Sequence, residues 1–168
     1  MQKPIEIKID DKKFKEYFKK IAQKVKNMSP LMQEISEEMH DAVEENFEQQ
    51  GRPKWPKLKP STLKKREDGQ ILQDTGALVN SISNNHDSTS AIVGTNKIYA
   101  PIHQFGGTIP ARIIKPKYKK ALFWPGLKHP VKQAKIPATN IPARPFLNLT
   151  NSDLKKIAEI TKSYLSKI

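Results

Sequence analysis

Apolar positions along this chain follow two rhythms, a helical one at both ends and a shorter, broken one in the middle. Ile5 to Ile9 (IEIKI) alternates strictly, as a short half-buried strand does. Phe14, Phe18, Ile21, Val25 and Met28 then repeat at spacings of 4, 3, 4 and 3, which makes one apolar stripe on an amphipathic helix. Ser29-Pro30 predicts a second helix, with serine as N-cap and proline in the first turn. Leu31, Met32, Ile35, Met39, Ala42, Val43 and Phe47 carry its stripe to about Gln50, and Gly51 stops it.

Downstream of Gly51 the pattern shortens. GRPKWPKLKPST is a connector with Trp55 and Leu58 as its apolar anchors, and Ser61 or Thr62 caps a short helix from Leu63 to Glu67. Asp74 or Thr75 turns the chain into GALVNSI, where Leu78 and Ile82 are expected to be buried. ALVNSIS and SAIVGT, the latter stopped at Gly94, predict a hairpin across a polar turn. Residues 107–121 are expected to form a mobile basic loop, and ALFWPG and VKQAKIPA two further strands. Thr150, Asn151 and Ser152 offer N-caps for a closing helix with Leu154, Ile157, Ala158, Thr161, Tyr164, Leu165 and Ile168 on one side.

Helices and strands come in runs and do not alternate, which argues for the α+β class. The expected architecture is two N-terminal helices, a small antiparallel sheet with a short inserted helix and a long basic loop, and a C-terminal helix. No internal repeat or linker divides the chain, so residues 1–168 are expected to make one domain.

Charge changes this picture through its distribution. Residues 1–50 carry net −2, residues 51–135 net +12 and residues 136–168 net +3. The second helix holds Glu34, Glu37, Glu38, Asp41, Glu44, Glu45 and Glu48 and no Lys or Arg, so like charges crowd along it. A basic surface would relieve that crowding. The candidates are the middle of the same chain and that of a neighbouring copy, above all Arg112, Lys115, Lys117, Lys119 and Lys120. The same basic block suits contact with DNA phosphates, although no helix-turn-helix, zinc finger or RNA-stacking motif is visible.

The chain has no cysteine, which excludes disulfides and a thiolate nucleophile. No apolar run approaches the roughly 20 residues that span a bilayer. The N-terminus resembles neither a signal nor a transit peptide. His40, His86, His103 and His129 lack metal-ligand spacing, no serine sits in GxSxG, and the glycines make no phosphate loop. Neither cofactor nor metal is expected.

YAPIHQFGG, from Tyr99 to Gly107, places proline early and glycine just past Phe105, bracketing one short helical turn. Ile102 and Phe105 share a face with Tyr99 nearby, and all three are expected to be buried. His103 and Gln104 are then polar groups bonded to nearby backbone, or facing solvent. A hydrolase using His103 is the third functional reading, after assembly and DNA binding.

In order and spacing these segments resemble the phage virion morphogenesis family, the tail-completion group of Mu-like phages. The resemblance covers roughly Met32 to the C-terminus. It rests on Leu72, Thr75, Gly76, Leu78 and Ile82, then on Gly94, Tyr99, Ala100, His103, Gln104, Phe105 and Gly106, and finally on Ala143, Arg144, Pro145, Phe146 and Leu147. It implies a structural, non-enzymatic protein of the virion tail or neck, assembled in the host cytoplasm. The implied partners are a tail tube, tail terminator or head–tail connector protein, together with further copies of the chain in a ring.

Overall fold

The computed structural model describes residues 11–64, 66, 69–124 and 127–167. The expected strand from Ile5 to Ile9, the side chain of Phe14, Glu67 and Ile168 lie outside that description. Helix α1 (Asp11–Lys26) forms over the first stripe, yet Tyr17, Phe18 and Val25 remain about half exposed. Helix α2 (Ser29–Glu48) starts one residue earlier than a serine cap would place it. Met28 is the N-cap, and the Asn27 side chain accepts from the Ser29 backbone N–H at 3.2 Å. Leu31, Ala42, Val43 and Phe47 bury the inner face of α2.

The end of α2 needs its glycine. Gly51 has φ +100°, and a Cβ there would lie 2.5 Å from the Trp55 ring and 2.6 Å from the Pro53 carbonyl oxygen. This turn folds Trp55 back against Phe47, with ring centroids 5.7 Å apart and edge-on. Helix α3 (Pro60–Leu63) comes earlier than the sequence suggests, because Lys59 is its N-cap and Pro60 fits its first turn. Val43, Phe47, Trp55, Ile71, Leu78, Ile82, Ala100 and Phe146 make the buried core.

The predicted hairpin is β1 (Ile82–His86) against β2 (Ala91–Thr95), with Ile82 opposite Thr95 and His86 opposite Ala91. Asp87 closes its turn by accepting from the hydroxyls and backbone N–H groups of Ser90 and Thr89 at 2.7–2.9 Å. These bonds, led by the Ser90 hydroxyl, hold its carboxyl far below the usual range. Helix α4 (Ala100–Phe105) is the short turn bracketed by Pro101 and Gly106.

The segment expected to be a loop from 107 to 121 begins with two short strands, three residues each. Strands β3 (Gly107–Ile109) and β4 (Arg112–Ile114) pair antiparallel with β6 (Thr139–Ile141) and β5 (Ala134–Ile136) respectively. The register is unbroken: Gly107 faces Ile141 and Ile114 faces Ala134. Between these two ladders pairing lapses around Pro110 and Pro137, which have no N–H to give. A last bridge joins Leu122 to Val131, so ALFWPG contributes one bridging residue and no full strand. Residues 107–114 and 134–141 therefore form a two-stranded arm that leads to the Leu122–Val131 bridge, and the strands make three separate ladders in place of a single sheet. Helix α5 (Asn151–Ser166) closes the chain against α2, capped by Thr150 in a reciprocal box with Asp153.

Candidate assembly site

The three segments that carry the family resemblance meet around the stretch from Arg144 to Asn148. Gln104 of α4 acts as a clamp: its Oε1 accepts from the backbone N–H groups of Phe146 and Leu147, both at 3.0 Å. The Arg144 N–H donates to the His103 carbonyl at 2.7 Å. Gly106 has φ +72°, and a Cβ there would come within 2.7 Å of the Ala143 nitrogen, so the two segments touch backbone to backbone. Phe146, fully buried, fills the space against Phe47, and the Trp55 Nε1–H donates to the Pro145 carbonyl at 3.2 Å.

A polar hub that the sequence did not reveal lies behind this clamp. Arg52 forms a bidentate pair with Asp153, at 2.9 and 3.1 Å, and also reaches Glu45 at 2.6 Å. Its Nε donates to the Asn46 Oδ1 at 2.9 Å, and Asn46, fully buried, donates in turn to the carbonyls of Phe146 and Asn148. Burial raises the Asp153 pKa, but bonds from Thr150 and Arg52 outweigh it and hold the carboxyl below its ordinary range. This one network joins the end of α2 and the turn after it to the 146–148 stretch and the start of α5, 100 residues or more away in sequence.

Beside the clamp lies a cavity of about 160 Å³ lined by Arg66, Leu72, Tyr99, His103 and Arg144 among others. Thr75 and Leu78 also line it, while Gly76 supplies the positive φ of the adjoining turn. The His103 Nδ1 is buried without a hydrogen-bond partner, whereas bonding to nearby backbone was one expected outcome. The Tyr99 ring stands edge-on to it at 6.0 Å. Burial, then the charges of Arg144 and Arg66, hold the imidazole below its ordinary pKa of 6.5.

The folded chain therefore resists a proton that the unfolded chain accepts. Stability from neutral His103 is complete above about pH 6.5 and falls as pH drops below it. Urea midpoints measured between about pH 7.5 and pH 5 should decline, and His103→Asn should flatten the decline. A wild-type midpoint independent of pH would contradict this placement.

Phe105 and Tyr99 correct the expected burial. Phe105 is 78% exposed and Tyr99 45%. Ala100 and Gln104, one helical turn apart, take the inward face of α4, and Phe105 lies about 100° further round. Phe105→Ala should therefore change stability by only about 0.5 kcal/mol or less, measured by urea unfolding; a loss of several kcal/mol would show that the ring is covered.

The acids of α2 divide into two groups. Glu38 and Glu45 are spent inside the fold, on Lys156 at 3.1 Å and on Arg52. Glu34, Glu37, Asp41, Glu44 and Glu48 are exposed in one line at spacings of 3, 4, 3 and 4, on the side away from the core. Arg112 lies in β4, and Lys115, Lys117, Lys119 and Lys120 follow it on the arm, all exposed. Among the described residues no ion pair joins the arm to α2. His40, Asp41 and Glu44 bring ligand atoms within 4.8 Å of one another, on a surface where Asp41 and Glu44 are exposed. No described helix is long and apolar enough to cross a membrane.

Comparison with known proteins gives these features a context. The phage virion morphogenesis family matches residues 9–166. The chain is 36% identical over 161 residues to "Mu-like prophage FluMu G protein 2" of Haemophilus influenzae, covering 95% of each chain. It is 28% identical over 134 residues to "Putative capsid assembly protein G" of Escherichia phage Mu, covering 74% of this chain and 71% of that one. No solved structure matches it.

Proposed function

Since the chain belongs to the phage virion morphogenesis family, we propose that it is a structural part that completes the tail or joins head to tail, working by protein–protein assembly in a ring. The observation that carries this reading is the division of charge. Between Gly107 and Ile141 the arm has eight Lys and Arg and no Asp or Glu. Five exposed acids on α2 face away from their own core. Two complementary surfaces that do not meet within one chain fit a heterologous contact, in which the arm of one copy lies on α2 of the next. The same acidic line would equally receive a basic surface of a tail tube, tail terminator or connector protein.

A second reading has its own observation. Tyr118, Phe123 and Trp124 are 88%, 65% and 45% exposed among the lysines of the arm, a combination that suits phosphate contact with base stacking. The hydrolase reading draws no support from His103, whose Nδ1 meets neither carboxylate nor hydroxyl.

Light scattering and negative-stain microscopy in a salt series separate the first two readings. Closed oligomers at about 50 mM salt that dissociate as salt rises past roughly 300 mM are expected. A monomer throughout, with steeply salt-dependent DNA binding of a defined site size, would favour the second reading.

A further inference from the structure

We infer that the cavity between α4, the 72–78 turn and Arg144 receives a single carboxylate, carried by an Asp or Glu side chain or by a chain terminus of a neighbouring virion protein. The carboxylate chemistry stands on the cavity alone, and only the identity of its donor rests on the assembly reading.

Two arginines are buried in different company. Arg52 is neutralised by Asp153 and Glu45. Arg144 is 7% exposed, and its Nε and Nη2 are spent on the neutral carbonyls of Pro56 and Lys57, at 2.9–3.3 Å. Among the described residues no carboxylate lies within ion-pair distance of it. Buried charges in folded proteins are ordinarily paired, because an uncompensated one carries its full desolvation cost. Arg144 is thus a buried cation with no counter-ion among the described residues.

Its neighbours extend the same pattern. His103 lines the same cavity, and its Nδ1 is buried without a hydrogen-bond partner. Arg66 adds a second cation, and Asp74, the one acid among the described lining residues, is held at 3.2 Å by Arg66 with its side chain 59% exposed. Burial, and then the charge of nearby arginines, lowers both His103 and Arg144. A neutral imidazole N–H donates to an entering carboxylate oxygen, while the cations supply charge.

Size and walls narrow the ligand. A cavity of about 160 Å³ takes one side chain and not a nucleotide. Leu58, Leu72 and the Tyr99 ring offer apolar wall for a methylene stem, and exposed Thr75 and Ala77 border the mouth. The cavity therefore fits a carboxylate delivered on a short apolar stem.

Histidine-labelled full-length chain, followed by NMR, tests this with four probes: acetyl-glutamate amide, acetyl-glutamine amide, acetyl-alanine and inorganic phosphate. A saturable shift of the His103 resonance by acetyl-glutamate amide is expected, with a dissociation constant on the order of millimolar. The glutamine probe should bind at least about tenfold more weakly, since it lacks the charge. Tighter binding by acetyl-alanine would assign the carboxylate to a chain terminus, and tighter binding by the glutamate probe to a side chain.

Arg144 also holds the connector, so the mouth is the safer place for variants. Ala77→Trp should abolish the shift. Ala77→Glu, which tethers a carboxylate there, should raise the thermal midpoint above that of Ala77→Gln. No saturable shift, or phosphate binding as tight as the glutamate probe, overturns the assignment. Because the probes act on monomer or oligomer alike, failure of ring formation leaves this result standing.

Discussion

Arg52→Ala should destabilise the chain by about 3–5 kcal/mol, the range seen when one partner of a buried ion pair is removed. Asp153, 1% exposed, would lose both bonds from its guanidinium partner and remain charged in the interior. Asn46 would lose its donor at Oδ1 and with it part of the grip on Phe146 and Asn148. For a chain of this size the midpoint of thermal unfolding should fall by roughly 10 °C. Arg52→Lys should recover little, because an ammonium cannot span two carboxylate oxygens and an amide together. The double change Arg52→Met with Asp153→Leu should be less damaging than Arg52→Ala alone, since it leaves no orphaned charge. A loss below about 1 kcal/mol for Arg52→Ala would mean that the pair is solvated and the hub marginal.

The second large effect concerns assembly. Reversing Glu37, Asp41 and Glu44 to Lys turns the outer line of α2 from acidic to mixed while leaving Glu38 and Glu45 on their internal partners. Like-charge contacts across an interface cost several kcal/mol, so association should weaken by about 100-fold or more at low salt. Monomer stability should stay within about 0.5 kcal/mol, because these positions are exposed and self-repelling in the starting helix. Sedimentation at two salt concentrations, alongside urea unfolding, measures both quantities. Equal association for variant and wild type would remove α2 from the interface.

Local pattern accounts for what the sequence made legible. The 3.6-residue stripes located α1, α2 and α5, and Gly and Pro bracketed α4 because their backbone preferences act within one turn. The β1–β2 hairpin was visible because its strands are adjacent and β-rich. The arm was hidden. Its strands have three residues each, too short to show an alternation, and their partners lie twenty or more residues later.

Arg52 and Asp153 were missed for the same reason, being 101 residues apart with nothing at either end to mark them as partners. Phe105 misled because spacing placed it on an apolar face, whereas the inward position is taken by Gln104, whose amide replaces a backbone partner for Phe146 and Leu147. Arg144 was legible as part of a signature, but its lack of a counter-ion among the described residues became visible only with the side chains around it in place.

The most direct test of the account is made in the particle itself. Phage produced with Glu37→Lys, Asp41→Lys and Glu44→Lys in this chain should be counted by negative-stain electron microscopy against wild type. The account predicts that heads and tails form but remain unjoined or unfinished, with the variant chain folded in the lysate and absent from purified particles. Complete, infectious particles at wild-type numbers that carry the variant chain would contradict it.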